Sequence, residues 1–252
     1  MSVRLRRAVF FASGAVLLAV LLIGLHGLPP FGVHHSGLAR AVEQRELPAR
    51  HATDYVTALN FDLRAFDTLG EEAILFAAVT GVMLLMRHIR EEDQSERRRR
   101  AEDHRFQGAS DALWVQAVVM VALMTAFGIY VALHGALTPG GGFQAGVVLA
   151  GGPAVVMLAG RYLTLKRIAP SWALEVFEST GAAAYTLIGI GGLVFAGVFL
   201  KNFLPYGTPG ELLSAGTMPL SSIAVGLEVS GGLLLIFSEF LDQALLRTAE
   251  ER

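Results

Sequence analysis

There is no cysteine anywhere in the 252 residues. Disulfides, thiolate nucleophiles and cysteine-ligated zinc or iron–sulfur clusters are therefore excluded, and any chemistry must run through oxygen and nitrogen groups. Net charge is scarce as well: 20 Lys and Arg against 22 Asp and Glu leave a formal −2. A nucleic-acid partner would require a dense basic surface to displace counterions, so that class is excluded. The chain also lacks a metal-ligand set suited to redox work. No cofactor, no metal and no enzymatic activity are expected of it.

Apolar residues and glycine are what it has in excess. Hydrophobic residues make up 53% of the chain, the mean hydropathy is +0.52, and there are 28 glycines. Six stretches are long and apolar enough to cross a bilayer: Ala8–Leu25, Leu69–Met86, Ala112–His134, Gln144–Leu165, Ser179–Leu200 and Pro219–Leu241. A hydrocarbon layer of about 30 Å needs about 20 helical residues, since a lone helix in lipid must satisfy its own backbone. The expected fold is therefore all-α, a polytopic membrane protein with six transmembrane helices. Glycine suits that setting because small residues let helices approach closely. Gly189, Gly191, Gly192, Ala196 and Gly197 form such a small-residue face on the fifth span, expected to meet a neighbouring helix. Arg4, Arg6 and Arg7 before the first run imitate a secretory signal, but Gly24-Leu25-His26 follows instead of a small-x-small cleavage site. The first run is expected to stay as an anchored helix.

Lys and Arg collect on cytoplasmic loops. Under the six-span reading, 15 of the 20 fall on one set of loops, with only Arg40, Arg45, Arg50, Arg64 and Lys201 on the other. Both termini are thus expected in the cytoplasm. The stretch Arg87 to Asp111, with interleaved acids and an arginine run at 97–100, reads as a charged linker between two spans and four. Anionic lipid binding is its sharper alternative.

The third and fourth spans are separated by HGALTPGGGFQ, residues 134–144, which carries no Asp, Glu, Lys or Arg. Pro139 and Gly140, Gly141 and Gly142 stop any helix from running through. A phosphate cradle fails, because Phe143 and Gln144 stand where Gly-Lys-Ser/Thr would be needed. Two readings stay open: a tight hairpin, or a break that docks onto a partner or borders an ion path, with His134 as a group able to titrate near neutral pH.

Acids inside spans cost about 2.5 to 3.5 kcal/mol each and so call for a partner, a wet cavity or a proton. Glu228 sits about 13 Å into the last span, close to the midplane. Pairing with a polar group of a neighbouring protein in the assembly is the competing account. Glu71 follows Thr68 at capping-box spacing, which places its carboxylate near the interface, while Glu72 points about 100° away. Glu175 and Glu178 are expected just ahead of the fifth span, favourable at a helix N-terminus.

The segment HGALTPGGGFQAGVVLA, 134–150, resembles the signature of the MnhB family, the B-type component of Mrp-type multisubunit sodium/proton antiporters. FLPYGTPG at 203–210, SAGTMPL at 214–220 and AVGLEV at 224–229 resemble the same family's last loop and helix, so that the likeness runs from about Ser110 to Leu241. LPPFG at 28–32 and the stretch from Asn60 to Glu71, ending in RAFDTLGE, are similar to the end of the antiporter's large A-type component and to the related E-type component of membrane-bound hydrogenases. Ala65, in place of a common glycine, and the extra acid Glu72 depart from that pattern.

The resemblance implies three parts: a two-helix module at 1–90, a charged cytoplasmic linker at 91–111 and a four-helix MnhB-like domain at 112–252. It implies a membrane subunit of a sodium/proton antiporter, with other membrane subunits, sodium ions, protons and the bilayer as partners. Glu71, Asp67, Glu228 and His134 are the ion-route candidates. Pro139, Gly140, Gly141, Gly142 and Phe143 form the loop on which activity is expected to depend. A purely structural subunit, or the membrane arm of an energy-converting hydrogenase, are the alternatives.

Overall fold

The computed structural model describes residues 3–28, 37, 40, 42–91, 110–159 and 167–250. Most of the charged linker, the Pro29-Pro30-Phe31-Gly32 part of the first motif, and Arg161 and Lys166 lie outside the described residues. The regular structure of the described residues is all helix, and the chain falls into two compact units, residues 1–40 and 41–252.

The first unit holds α1 (Val3–His26), apolar along Arg7–His26. The second begins with a π-helical turn at Val42–Glu46, then α2 (Leu47–Arg50), α3 (Tyr55–Ala58) and another π-helical turn at Leu59–Leu63. Four more long helices and one shorter follow: α4 (Ala65–Glu91), α5 (Asp111–Leu133), α6 (Gly142–Leu158), α7 (Ser171–Ala196) and α8 (Met218–Glu250). Five described helices are long and apolar enough to cross a bilayer, in α1, α4, α5, α7 and α8. The remaining expected crossing is the 17-residue α6, which opens two residues earlier than anticipated and contains Pro153.

α8 is the post of the second unit. Two thirds of its spanning stretch is buried, against about a tenth to a fifth for α4, α5 and α7. It packs against α7, α6 and α4, and α5 pairs with α6. Close approach depends on glycine. A Cβ on Gly142 or Gly146 of α6 would collide with Val225 or Val229 of α8, one on Gly181 of α7 with Glu228, and one on Gly231 of α8 with the α7 backbone at Leu174 and Glu178. In a setting where lipid competes on equal terms for apolar surface, such contacts supply the packing energy. The outer faces stay apolar, with Phe66, Ile74 and Leu85 on α4 and Trp172, Leu187, Val194 and Phe195 on α7 exposed.

Two expectations about α7 are corrected. It begins at Ser171, eight residues early, because Pro170 supplies an extended N-cap, so Glu175 and Glu178 lie within the helix. It also stops at Ala196, where Gly197 takes a left-handed φ of 73° and turns the chain back. Gly189, Gly191 and Gly192 consequently pack under the returning Phe199, Phe203 and Lys201, and not against another helix.

One end of the second unit gathers the segments 50–64, 134–141 and 197–217, the first of them hydrogen-bonded to each of the other two. The backbone N–H groups of Thr53 and Asp54 donate to the Ala136 carbonyl at 3.1 and 3.2 Å. Thr57 Oγ1 donates to the Gly135 carbonyl at 2.5 Å, Arg50 donates to the Tyr206 hydroxyl at 2.8 Å, and Arg50 also pairs with Asp62 at 2.5 Å. Asn202 holds the last loop: its Nδ2 donates to the Ala215 carbonyl at 2.9 Å and its Oδ1 accepts from Thr217 N–H at 3.0 Å.

Candidate functional site

The break after α5 is a hairpin. His134 caps α5, and the turn runs through Pro139 to Gly141, whose φ of 134° suits a residue without a Cβ. α6 then starts at Gly142, pressed against Ser222 and Val225. Of the two open readings, the tight hairpin is what the fold shows, and residues 53–57 of the same chain hydrogen-bond to it.

Between this turn and the start of α4 lies a cavity of about 170 Å³. Glu71, Asn60 and Thr68 border it on one side and Gly140–Gly142, Phe143 and Gln144 on the other. Two motifs distant in sequence thus share one hollow, which offers a carboxylate, two side-chain amides and backbone groups to an ion. The capping-box account of Thr68 and Glu71 gives way. α4 begins three residues before Thr68, whose hydroxyl instead donates to the Asn60 carbonyl at 2.8 Å, leaving Glu71 exposed toward the cavity.

The other candidates are dispersed. Asp67 is exposed and pairs with Arg64 one turn back. His134 stacks on Tyr130, ring centroids 4.1 Å apart, with Nδ1 3.2 Å from the Tyr130 carbonyl. Glu228 is fully buried at the centre of the unit, and neither of its carboxylate oxygens has a hydrogen-bond partner.

Two acids are more telling than the sequence alone made them. Glu72 is buried with both oxygens unpartnered, and Glu178 is buried with Oε1 unpartnered. The signal was periodicity: buried Ala65, Thr68, Glu72 and Val79 follow the 3–4 spacing of one helix face, as do Leu174, Glu178, Gly181, Tyr185 and Gly189. Glu71 and Glu175 fall off those stripes and are exposed.

Residues 112–235 match the family described as a domain related to the MnhB subunit of the Na+/H+ antiporter. The chain is an MnhB-like protein. An uncharacterized protein of Methanocaldococcus jannaschii is 31% identical over 224 residues, covering 81% of this chain and 82% of its own. A Rhizobium meliloti protein described as a probable K(+)/H(+) antiporter component of combined A/B type is 31% identical over 189 residues, 68% of this chain but 18% of that much longer one. Among solved structures, a chain of the membrane-bound sulfane sulfur reductase, an archaeal respiratory membrane complex, aligns with TM-score 0.70 and 27% identity, covering 94% of this MnhB-like chain and 98% of its own. A chain of the Mrp complex from Dietzia sp. DQ12-45-1b shares the fold, with TM-score 0.69, 21% identity, 95% coverage here and 26% there. The MnhB-like chain is a multi-pass membrane protein.

Proposed function

We propose that this MnhB-like chain is a membrane subunit of a multisubunit monovalent cation/proton antiporter and contributes to the ion route as well as to assembly. The observation that carries the reading is the cavity where Glu71 faces Gly140–Phe143 within an MnhB-type fold. Moving one charge through 100 mV is worth about 2.3 kcal/mol, comparable to the insertion cost of one carboxylate, so an acid at such a mouth works as a reversible step. The division into an A-type front at 1–90, a linker at 91–111 and an MnhB-like domain from 112 is supported by the Rhizobium relative. That protein is named A/B, and its aligned stretch is longer than residues 112–235.

The charge count supports an orientation with the loop end, including Arg50, Arg64 and Lys201, outside and both termini in the cytoplasm. Because the chain has no cysteine, single cysteines report this cleanly: Thr208→Cys should react with an impermeant maleimide added outside intact cells. Labelling only after lysis reverses the topology.

Glu71→Gln should lower cation-dependent proton exchange in membrane vesicles by about tenfold, a barrier change of about 1.4 kcal/mol, with the complex intact on native gels. Running the assay with sodium and with potassium identifies the cation. Unchanged exchange after deletion of the whole chain overturns the proposal. A second reading, the membrane arm of a redox complex, is favoured by the sulfane sulfur reductase chain, which this chain covers almost end to end. Co-purification of redox-centre subunits with a tagged chain would select it.

A further inference from the structure

Three glutamates meet where α4, α8 and α7 cross, and no cap or ion pair accounts for them. Glu228 is 0%, Glu72 2% and Glu178 6% exposed, and together they carry five buried oxygens without a hydrogen-bond partner. Glu72 and Glu228 lie within electrostatic range of each other, and so do Glu228 and Glu178, which links the three in sequence as a row. Glu72 is in range of Glu71, which opens on the cavity, and Glu178 is in range of the exposed Glu175 one turn earlier on α7.

The helix register fixes the depth. Gly181 abuts Glu228, Gly231 abuts Glu178, and Gly232 abuts Val79 of α4, further along the same face from Glu72. These contacts hold the three acids within about one helical turn of each other along the bundle axis. Glu228 lies about 15 Å from the start of α8, halfway through a layer of about 30 Å. The row therefore runs across the bundle near mid-depth.

Resting on the antiporter reading above, we infer that Glu71, Glu72, Glu228, Glu178 and Glu175 form a lateral proton path from the loop-end cavity to the exposed carboxylate of Glu175 on α7, and that the cation does not use its buried members Glu72, Glu228 and Glu178. A cage for a dehydrated cation needs several ligands converging on one point. Among the described residues, no group of three or more acids or histidines is placed to hold an ion. Three buried anions would add mutual repulsion to about 2.5 to 3.5 kcal/mol of burial each, and a carboxyl group holding its proton avoids both costs. In each hop the O–H bond of the donor acid breaks as one forms on the acceptor carboxylate. One proton enters at Glu71 and one leaves at Glu175, and no other bond changes. Tyr185 is the other titratable side chain beside Glu72, and its hydroxyl is committed to the Ala65 carbonyl at 2.9 Å.

The test uses the whole complex in proteoliposomes. Glu72→Gln, Glu228→Gln and Glu178→Gln should each lower proton exchange about tenfold or more with the half-saturating cation concentration unchanged. Infrared difference spectra of the native complex, protonated minus deprotonated, should contain carboxylic-acid C=O signals that weaken in each assembled variant. Unaltered exchange in Glu228→Gln overturns the path, and so does a raised half-saturating cation concentration with the maximal rate kept, which would make the row a cation site. If Glu228→Gln fails to assemble, Glu178→Gln and the native spectrum decide, and a native spectrum without such signals overturns the path. Normal exchange in these variants alongside a defective Glu71→Gln removes the path and leaves the antiporter proposal standing. Normal exchange after deletion of the whole chain removes that proposal itself.

Discussion

The loop end and the middle of the second unit treat most of their buried polar groups in opposite ways, the unpartnered Ser214 hydroxyl at the loop end being an exception. At the loop end Asn202, Thr57 and Asp54 are buried and each is hydrogen-bonded: Asn202 to two backbone groups, Thr57 to Gly135, and Asp54 to the Thr57 N–H at 2.7 Å. At mid-depth Glu72, Glu228 and Glu178 are equally buried, yet five of their oxygens are unpartnered. A satisfied buried group stabilises its surroundings, whereas an unsatisfied carboxylate costs free energy wherever it sits. The first arrangement is what a chain needs to hold a loop in place. The second is tolerated only where the group does something else. Substitutions at the loop end should therefore register as lost stability, and isosteric neutralisation of the mid-depth acids as lost transport with stability kept.

The strongest break of the comparison is steric. Gly142→Val would drive its side chain into the Ser222 carbonyl and Val225, separating α6 from α8 at the point where the hairpin is anchored. Overpacking of this kind typically costs about 1 to 3 kcal/mol, and here at least the upper figure is expected, because one obstacle is backbone. Loss of the intact complex on native gels, or a fall in its melting temperature larger than for any variant below, is the expected readout. Next comes Asn202→Ala. It strands the Ala215 carbonyl and the Thr217 N–H, for about 2 kcal/mol, in a loop that already holds Leu200 and Ala215 at left-handed φ of 61° and 67°. The purified complex should melt earlier while exchanging protons at normal rates when cold. Glu228→Gln should show the converse, with little change in melting and a large loss of exchange.

The helices were legible from runs of apolar residues because length and hydropathy alone decide whether a segment can lie in lipid. Their ends were not. α7 begins early because Pro170 can cap a helix from outside it, and ends early because Gly197 reverses the chain, and both effects depend on backbone angles that hydropathy does not register. Those misplaced boundaries hid Glu178, which reads as an interfacial acid only if the helix starts after it. Glu72 was hidden by its neighbour: choosing between adjacent acids requires knowing which face meets α8, and the start of α4 at Ala65 supplies that phase. The cavity joining Glu71 to the glycine-rich turn lay beyond sequence reasoning, since it depends on the pairing of residues 53–57 with the turn at 135–137, far along the chain.

A finer test falls where the two regions touch. Tyr185 is completely buried, stands next to Glu72, and donates its hydroxyl to the Ala65 carbonyl at the first residue of α4. It belongs with the loop end if that bond is its task. Tyr185→Phe should then cost about 1 kcal/mol, seen as a modest drop in melting temperature, with exchange unaffected. Exchange falling severalfold at unchanged stability would move Tyr185 into the acid row, and the boundary between the two regions would have to be redrawn.

The smallest effect is expected at Asp67, an acid of the RAFDTLGE motif that the fold leaves in the open. Its partner is Arg64, one turn earlier, and both side chains are about half exposed or more. Exposed pairs at this spacing contribute a few tenths of a kcal/mol, and screening by salt reduces that further. Asp67→Asn should leave melting and cation-dependent proton exchange within error of the unaltered complex, even though one turn later Glu71→Gln is expected to lose about tenfold. The pair of variants separates position in the motif from position in the cavity. Equal losses for both would mean that the first two turns of α4 face the ion, and the cavity would then extend to the surface that Arg64 now covers.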